Sequence, residues 1–271
     1  MDMELLKSLL TGILPDDAEM TYETVMTSTN RVLKEKAQAG APAGSFAVCD
    51  VQTEGRGRMN RRWESESGQS LLLSVLLRPK LSPDKANLLT LAAAVALSHA
   101  MEALCPQLKA GIKWPNDLIL SGRKCAGILC EMQVTDENHW FAVCGVGLNM
   151  LQREFPEELQ TKAISLRMAL QEDHSTAEPP TREMLLARFL WELWQSVSMV
   201  EQYGFAGIRD SYLSHSVTIG REVVVLDASG TKRGVATDVD ATGGLILQKP
   251  DGTTERILCG DASVRGVMGY C

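Results

Sequence analysis

The sequence lacks the marks of several large protein classes. Its seven cysteines, at 49, 105, 125, 130, 144, 259 and 271, are odd in number and include no C-x-x-C pair. Neither a thiol redox motif nor a closed disulfide framework is therefore indicated. Most lie in apolar runs, where Cys behaves as a small buried hydrophobe, and this usage fits a reducing cytosol. The four histidines, His99, His139, His174 and His215, are scattered without metal-ligand spacing, so no zinc site is indicated. His99, on an Ala-rich stretch, reads as a satisfied core histidine. There is no G-x-x-x-x-G-K-[ST] loop and no G-x-S-x-G elbow, which sets aside a P-loop nucleotidase and an elbow-type hydrolase. No run approaches the roughly 18 apolar residues of a spanning helix. The N-terminus has neither the basic start nor the unbroken apolar core of a signal peptide. A cytoplasmic protein without a membrane partner is expected.

At 271 residues the chain is long enough for a large domain plus a small one, and 45% apolar with 23% charged residues is ordinary for a globular protein. A formal net charge of -7 argues against nucleic acid or membrane binding by the whole surface. Against that background four arginines, Arg56, Arg58, Arg61 and Arg62, fall within seven residues. Alternating Gly and Arg is poor material for a helix or strand, because glycine loses the most backbone entropy on ordering. It suits a loop whose N–H groups and guanidinium forks close around one anionic group. A solvated basic turn is the bland alternative.

Apolar spacing over Met1–Leu14 predicts an amphipathic helix, Met20–Met26 a short strand, and Ser28-Thr29-Asn30 the N-cap of a helix through Ala39 that Gly40 ends. Phe46–Val51 and Leu71–Leu77 read as buried strands. Ser82-Pro83-Asp84 opens a long core helix to about Leu104. Ile112–Leu120, a turn at Ser121-Gly122, Lys124–Met132 and Trp140–Val146 read as a sheet meander. Residues 172–183 form a polar loop, and Met184–Tyr203 an amphipathic helix. From about Val217 the texture changes to short β-branched runs: Val217–Ile219, Glu222–Leu226, Arg233–Val239, Gly244–Gln248 and Thr254–Leu258. Five strands in about fifty residues predict a small SH3-like barrel.

Four segments stand out together: Ser28-Thr29-Asn30, the loop from Gln52 to Trp63, Lys113-Trp114-Pro115-Asn116-Asp117, and Lys124-Cys125-Ala126-Gly127-Ile128-Leu129. A fifth, Gly145-Val146-Gly147-Leu148-Asn149-Met150, follows. Their order and spacing resemble the biotin protein ligases, or biotin–[acetyl-CoA-carboxylase] ligases, from about Thr21 to the end of the chain. GRGR followed by a Trp, with KWPND about fifty residues on, is a specific pair, whereas either alone is weak. Only 27 residues precede Ser28, too few for a winged helix-turn-helix, so the form without an N-terminal DNA-binding domain is expected and no DNA partner with it.

The resemblance implies an α/β (α+β) catalytic domain with a mixed, largely antiparallel sheet, followed by the SH3-like barrel. Its limits would be 1–19 for an N-terminal helical extension, 20–215 for the catalytic domain and 216–271 for the barrel. It implies activation of biotin by ATP and Mg2+ to biotinyl-5′-AMP, then transfer to a lysine of a biotin carboxyl carrier domain. Monomers and homodimers both occur in the family. Fixed cations aimed at charge that develops on the α-phosphate supply the main catalytic term in such a reaction. Lys113 takes the role of bridging the substrate carboxylate and the α-phosphate, a surface lysine being the alternative. Arg56 and Arg58, on glycine hinges, fold over the adenylate, and Gly55 and Gly57 permit close backbone approach. Ser28, Thr29, Asn30 and Gln52 meet the donors and acceptor of the ureido ring; helix capping and a strand-end polar position are their ordinary uses. Gly127 admits close approach to the biotin rings, and Trp63, Asn116 and Asn149 contact the nucleotide. In two places the chain departs from the family's GRGR-x-GR-x-W loop: Asn60 replaces a glycine, and Glu54 puts a negative charge where a small residue is usual. A lipoate ligase or lipoyl transferase, which shares the catalytic fold, is the main rival, and a biotinyl-AMP-dependent DNA-binding regulator the second.

Overall fold

The computed structural model describes residues 1–58, 61–135, 139–227, 230–258 and 263–266. Helix α1 (Met3–Leu10) starts where the Asp2 carboxylate accepts the N–H groups of Glu4 and Leu5, at 3.1 and 3.0 Å. It ends four residues earlier than its apolar spacing predicts, at Thr11 and a left-handed Gly12. Strand β1 (Met20–Met26) matches its expected span, and α2 (Thr29–Gln38) runs to an Ala39 cap before Gly40 at φ +100.

Seven strands form the main sheet: β1, β2 (Phe46–Gln52), β3 (Ser70–Leu77), β4 (Gly111–Lys113), β5 (Asp117–Leu120), β6 (Arg123–Val134) and β7 (Trp140–Asn149). Their order is β1-β2-β3-β7-β6-β5-β4, with β1 and β2 parallel and every other pair antiparallel. The sheet is covered on both faces, so β3 is buried at all eight positions and reads as a continuous apolar run. Leu71, Leu73, Val75 and Leu77 pack into the core with α3 (Asn87–Leu104), while Leu72 and Leu76 pack with Leu33 and Ala37 of α2. The two-residue period of a strand also turns Ser74 toward α2.

Helix α3 is buried on most sides, as its composition predicts. By length and hydropathy the segment Pro83–Leu104 passes the test for a membrane span that the sequence reading denied, yet it lies in the core. Its entry also differs. Pro83–Lys85 is a 3-10 turn and Ser82 makes no capping bond. Helices α4 (Leu166–Glu172) and α6 (Arg209–His215) were not anticipated, while α5 (Arg182–Tyr203) was. His99 is not a core histidine: its side chain is 33% exposed, with Nδ1 3.6 Å from Glu192, and its ring meets that of His215 edge-on.

The second, antiparallel sheet has the order β11-β10-β9-β8-β12, from β8 (Glu222–Asp227), β9 (Gly230–Val239), β10 (Leu245–Gln248), β11 (Thr254–Ile257) and β12 (Ser263–Gly266). It has the five strands expected of the small SH3-like barrel, but not the same five. Val217–Ile219 is not one of them. The chain there runs alongside the main sheet instead, with Ser216 bridged to Ile112 and the Val217 N–H on the Ile112 carbonyl at 2.9 Å. Strand β12, antiparallel to β8, is the fifth.

Candidate active site

A buried polar corner forms where β1 ends, α2 begins and β2 and β3 pass beneath. Ser28 occupies the N-cap position of α2 in extended conformation, but its side chain makes no capping bond. Gln52, at the end of β2, does that work from across the sheet. Its Oε1 accepts the Thr29 N–H at 2.8 Å and lies 3.2 Å from Thr29 Oγ1. Capping as the ordinary use of Ser28 is thereby corrected: a second residue satisfies the helix terminus. Ser28 and Thr29 are each 3% exposed and Asn30 5%. Ser74 Oγ lies 2.7 Å from Thr29 Oγ1 and 2.6 Å from Asn30 Oδ1. Asn30 Nδ2 donates to the Leu129 carbonyl at 3.2 Å and to Glu131 at 2.7 Å, and Glu131 is paired with Lys34. Ser74 and Glu131 were missed by sequence reasoning. The signal for Ser74 was a lone hydroxyl inside the apolar run Leu71–Leu77.

The floor beside this corner is made of glycine. Gly127 and Gly147 are register partners on β6 and β7, and Gly145 is two residues away on the same face. A Cβ on Gly145 would stand 2.2 Å from Asn30 Oδ1, and one on Gly147 2.5 Å from the Trp63 ring. Gly127 was expected to admit the biotin rings; here a Cβ on it would stand 3.2 Å from the Trp63 ring and 3.0 Å from Lys124 Nζ. The Trp63 Nε1 is buried without a partner, and Lys124 Nζ sits 5.6 Å from the ring centroid.

Lys113 closes β4 and is 5% exposed. The Trp114-Pro115 bond that follows is cis. The Trp114 N–H donates to Thr218 Oγ1 at 2.9 Å and its indole to the Gly243 carbonyl at 3.0 Å, so the segment ahead of β8 and the β9–β10 turn hold it. Asn116 donates to the Ile128 carbonyl at 2.9 Å and accepts from the Arg58 guanidinium at 3.0 Å. That bond joins the Arg/Gly loop to the Lys113 turn across 58 residues of sequence.

The loop itself folds back as a narrow hairpin, with Arg56 bridged to Arg62, the Gly57 N–H on the Arg61 carbonyl at 2.8 Å and the Trp63 N–H on the Gly55 carbonyl at 3.1 Å. Gly55 is required by the chain's own approach, since a Cβ there would stand 2.3 Å from the Trp63 carbonyl, whereas Gly57 has ordinary room. Arg56 is exposed. Glu54 turns away to Arg31, at 3.4 Å. Asn60 lies outside the described residues. Asn149 is 6% exposed; its hydrogen bonds, both at 3.4 Å, go to the Ile164 carbonyl and to Gln152. Burial pushes the Cys49 thiol up to about 12 and raises Cys125 as well, so neither is a ready nucleophile. Among the described residues no cluster of three or more His, Cys, Asp or Glu side chains is placed to hold a metal ion.

A glycine floor bordered by the buried polar corner and, two strands from Gly127, by Lys113 suits a small cyclic acid held against a nucleotide. Residues 22–149 match the biotin/lipoate A/B protein ligase family, and residues 218–265 the biotin protein ligase C terminal domain. The chain is 34% identical over 235 residues to the bifunctional ligase/repressor BirA of Bacillus spizizenii, covering 86% of this chain and 70% of that protein. It is 35% identical over 241 residues to the biotin–[acetyl-CoA-carboxylase] ligase of Mycobacterium tuberculosis, covering 86% and 84% respectively. The structure of biotin protein ligase from Aquifex aeolicus in complex with biotin and ATP superposes with a TM-score of 0.77 at 27% identity, over 92% of this chain and 99% of that one. The chain belongs to the biotin/lipoate A/B protein ligase family, and within it to the biotin protein ligases.

Proposed function

We propose that the protein is a biotin–[acetyl-CoA-carboxylase] ligase. It activates biotin with MgATP and passes the biotinyl group to one lysine of a biotin carboxyl carrier domain, in the cytoplasm. The biotin carboxylate oxygen attacks the α-phosphorus and pyrophosphate leaves. The carrier lysine's ε-amine then attacks the acyl carbon, AMP leaves, and the amine's proton goes to solvent. Magnesium arrives with the nucleotide, as part of the substrate.

One observation carries this reading: the Arg58–Asn116 bond, which brings the Arg/Gly loop and the Lys113 turn to one place. Lys113, the fixed cation at the floor's edge, meets carboxylate and α-phosphate as charge develops between them. Arg56 and Arg58 clamp the adenylate, on a loop whose tight return depends on Gly55, with Gly57 beside them. Ser28, Thr29 and Gln52, backed by Asn30, meet the ureido ring, and Gly127 lies under the ring system. Trp63, Asn116 and Asn149 contact the nucleotide. Residues 20–215 act as the catalytic domain behind a helical extension over 1–19, and residues 216–271 help to hold ATP or the carrier.

Incubation with biotin, ATP, Mg2+ and an apo-carrier domain, read by intact mass, tests the proposal. Expected is one biotinyl addition that needs ATP. Lipoate in place of biotin should give none; a lipoyl addition instead would overturn the reading.

A further inference from the structure

The corner contains a chain of hydroxyl and amide groups whose proton positions follow from elimination. Asn30 Nδ2 faces two acceptors, the Leu129 carbonyl and the Glu131 carboxylate, so the atom facing Ser74 is the amide oxygen. That oxygen carries no hydrogen, and a 2.6 Å contact with Ser74 Oγ therefore uses the only proton Ser74 has. Ser74, wholly buried, must then accept from Thr29, whose Oγ1 lies 2.7 Å away. The reverse order, Ser74 to Thr29 to Gln52, leaves two buried oxygens in contact at 2.6 Å with no hydrogen between them.

Two acceptors are left unspent by this order. Thr29 Oγ1 has given its proton to Ser74 and keeps both lone pairs. Gln52 Oε1, 3.2 Å from it, accepts the Thr29 N–H and keeps its second. We infer that Ser74 is a positioning residue that sets the hydrogen-bond polarity of the pocket, turning the Thr29 hydroxyl away from Gln52 so that Thr29 Oγ1 and Gln52 Oε1 together accept ring N–H donors from the ligand. This rests on the reading of biotin as substrate and deepens it. A cyclic urea presents such donors, whereas a dithiolane ring of the lipoate kind presents none, so Ser74 contributes to specificity without touching the ligand.

The test is calorimetric titration of wild type, S74A and S74C with biotin and with each mono-N-methyl ureido derivative, alongside steady-state adenylation; melting curves establish that each variant is folded. Without the Ser74 hydroxyl, Thr29 swings to Gln52 and fills its open acceptor. S74A should then bind biotin about tenfold more weakly, the equivalent of one hydrogen bond. The KM for biotin should rise by the same factor with kcat within about twofold, since the ureido ring is remote from the reacting carboxylate. S74C, with a weaker donor in the same place, should lie between. The methyl derivative that blocks the N–H facing the acceptor pair should bind wild type and S74A within about twofold of each other, because neither uses that bond. Unchanged biotin affinity in S74A, or equal losses for biotin and both derivatives, would overturn the inference. Wild type that binds no biotin at all would instead overturn the reading of function beneath it.

Discussion

The polar corner and the Arg/Gly loop both border the glycine floor, through Asn30 and Trp63, but are built in opposite ways. In the corner, Ser28, Thr29 and Asn30 are nearly sealed from solvent, and hydrogen bonds from β2, β3 and β6 brace the start of α2. Its side chains are ordered when the protein folds, so the ligand does not have to order them on arrival. The loop leaves Arg56 and Arg61 exposed and joins the body chiefly through its own backbone returns, the Trp63 ring on glycine and one guanidinium on Asn116. Under the proposed function, recognition of the ring is preformed, while retention of the charged product depends on contacts completed only when the product is present.

If that division holds, damage to each region should appear in a different measurement. The largest effect belongs to neither. Lys113→Ala should slow adenylate formation about a thousandfold, read as pyrophosphate release, with biotin affinity within about tenfold, because the charge it meets develops mainly in the transition state. Near-normal pyrophosphate release would remove Lys113 from the chemistry.

Gly145→Ala attacks the corner through the floor, since the new methyl would stand 2.2 Å from Asn30 Oδ1. Displacing Asn30 disrupts its buried bond to Ser74 and its part-buried bonds to Leu129 and Glu131, so biotin should bind on the order of a hundredfold more weakly by calorimetry. The escape rate of adenylate, relative to its formation, should change little. Arg58→Gly should do the reverse. Biotin affinity should stay within about threefold, while biotinyl-AMP escapes on the order of ten- to a hundredfold faster, for the loss of a charge-assisted bond of about 1.5–3 kcal/mol. Biotinylation of an added bystander protein measures that escape. An Arg58→Gly enzyme that makes no adenylate would place Arg58 in the chemical step and erase the contrast.

The smallest effect tests whether the second sheet belongs with the braced region. Burial raises the Asp240 carboxyl, but the N–H groups of Thr242 and Gly244, the Thr242 hydroxyl and Arg256 outweigh it and hold the group below its ordinary value. A depressed carboxylate contributes stability above its unfolded value, near 4, and loses it as pH falls through the folded one. The 240–244 turn carries the Gly243 carbonyl that meets Trp114. Wild type should therefore lose melting temperature between pH 5 and pH 3, and Asp240→Asn should lose less over the same window.

Much of the frame was legible because its signals are local. The β-branched and Leu-rich runs gave β1 to β3 nearly residue by residue, and the GRGR and KWPND segments are joined by the Arg58–Asn116 bond. Contacts between segments distant in sequence were not legible. Nothing near Ser28 indicates that Gln52 will take over its capping duty, and nothing near Gly147 that Trp63 will lie on it. Val217–Ile219 has the composition of a strand, but the neighbouring β4 edge captures the chain, an outcome decided by tertiary contact rather than propensity.

The double duty of Gln52 constrains how such a pocket changes over time. One amide oxygen terminates α2 and, under the proposed function, also faces the ligand, so a substitution that alters what the pocket recognises also unseats a helix. Such pleiotropy makes Gln52 a poor point for drift or redesign. New specificity is easier to reach at Trp63, whose ring lies on the glycine floor with its indole nitrogen unengaged. Libraries that vary Trp63 and leave Gln52 fixed should yield more folded members per altered ligand preference than the converse.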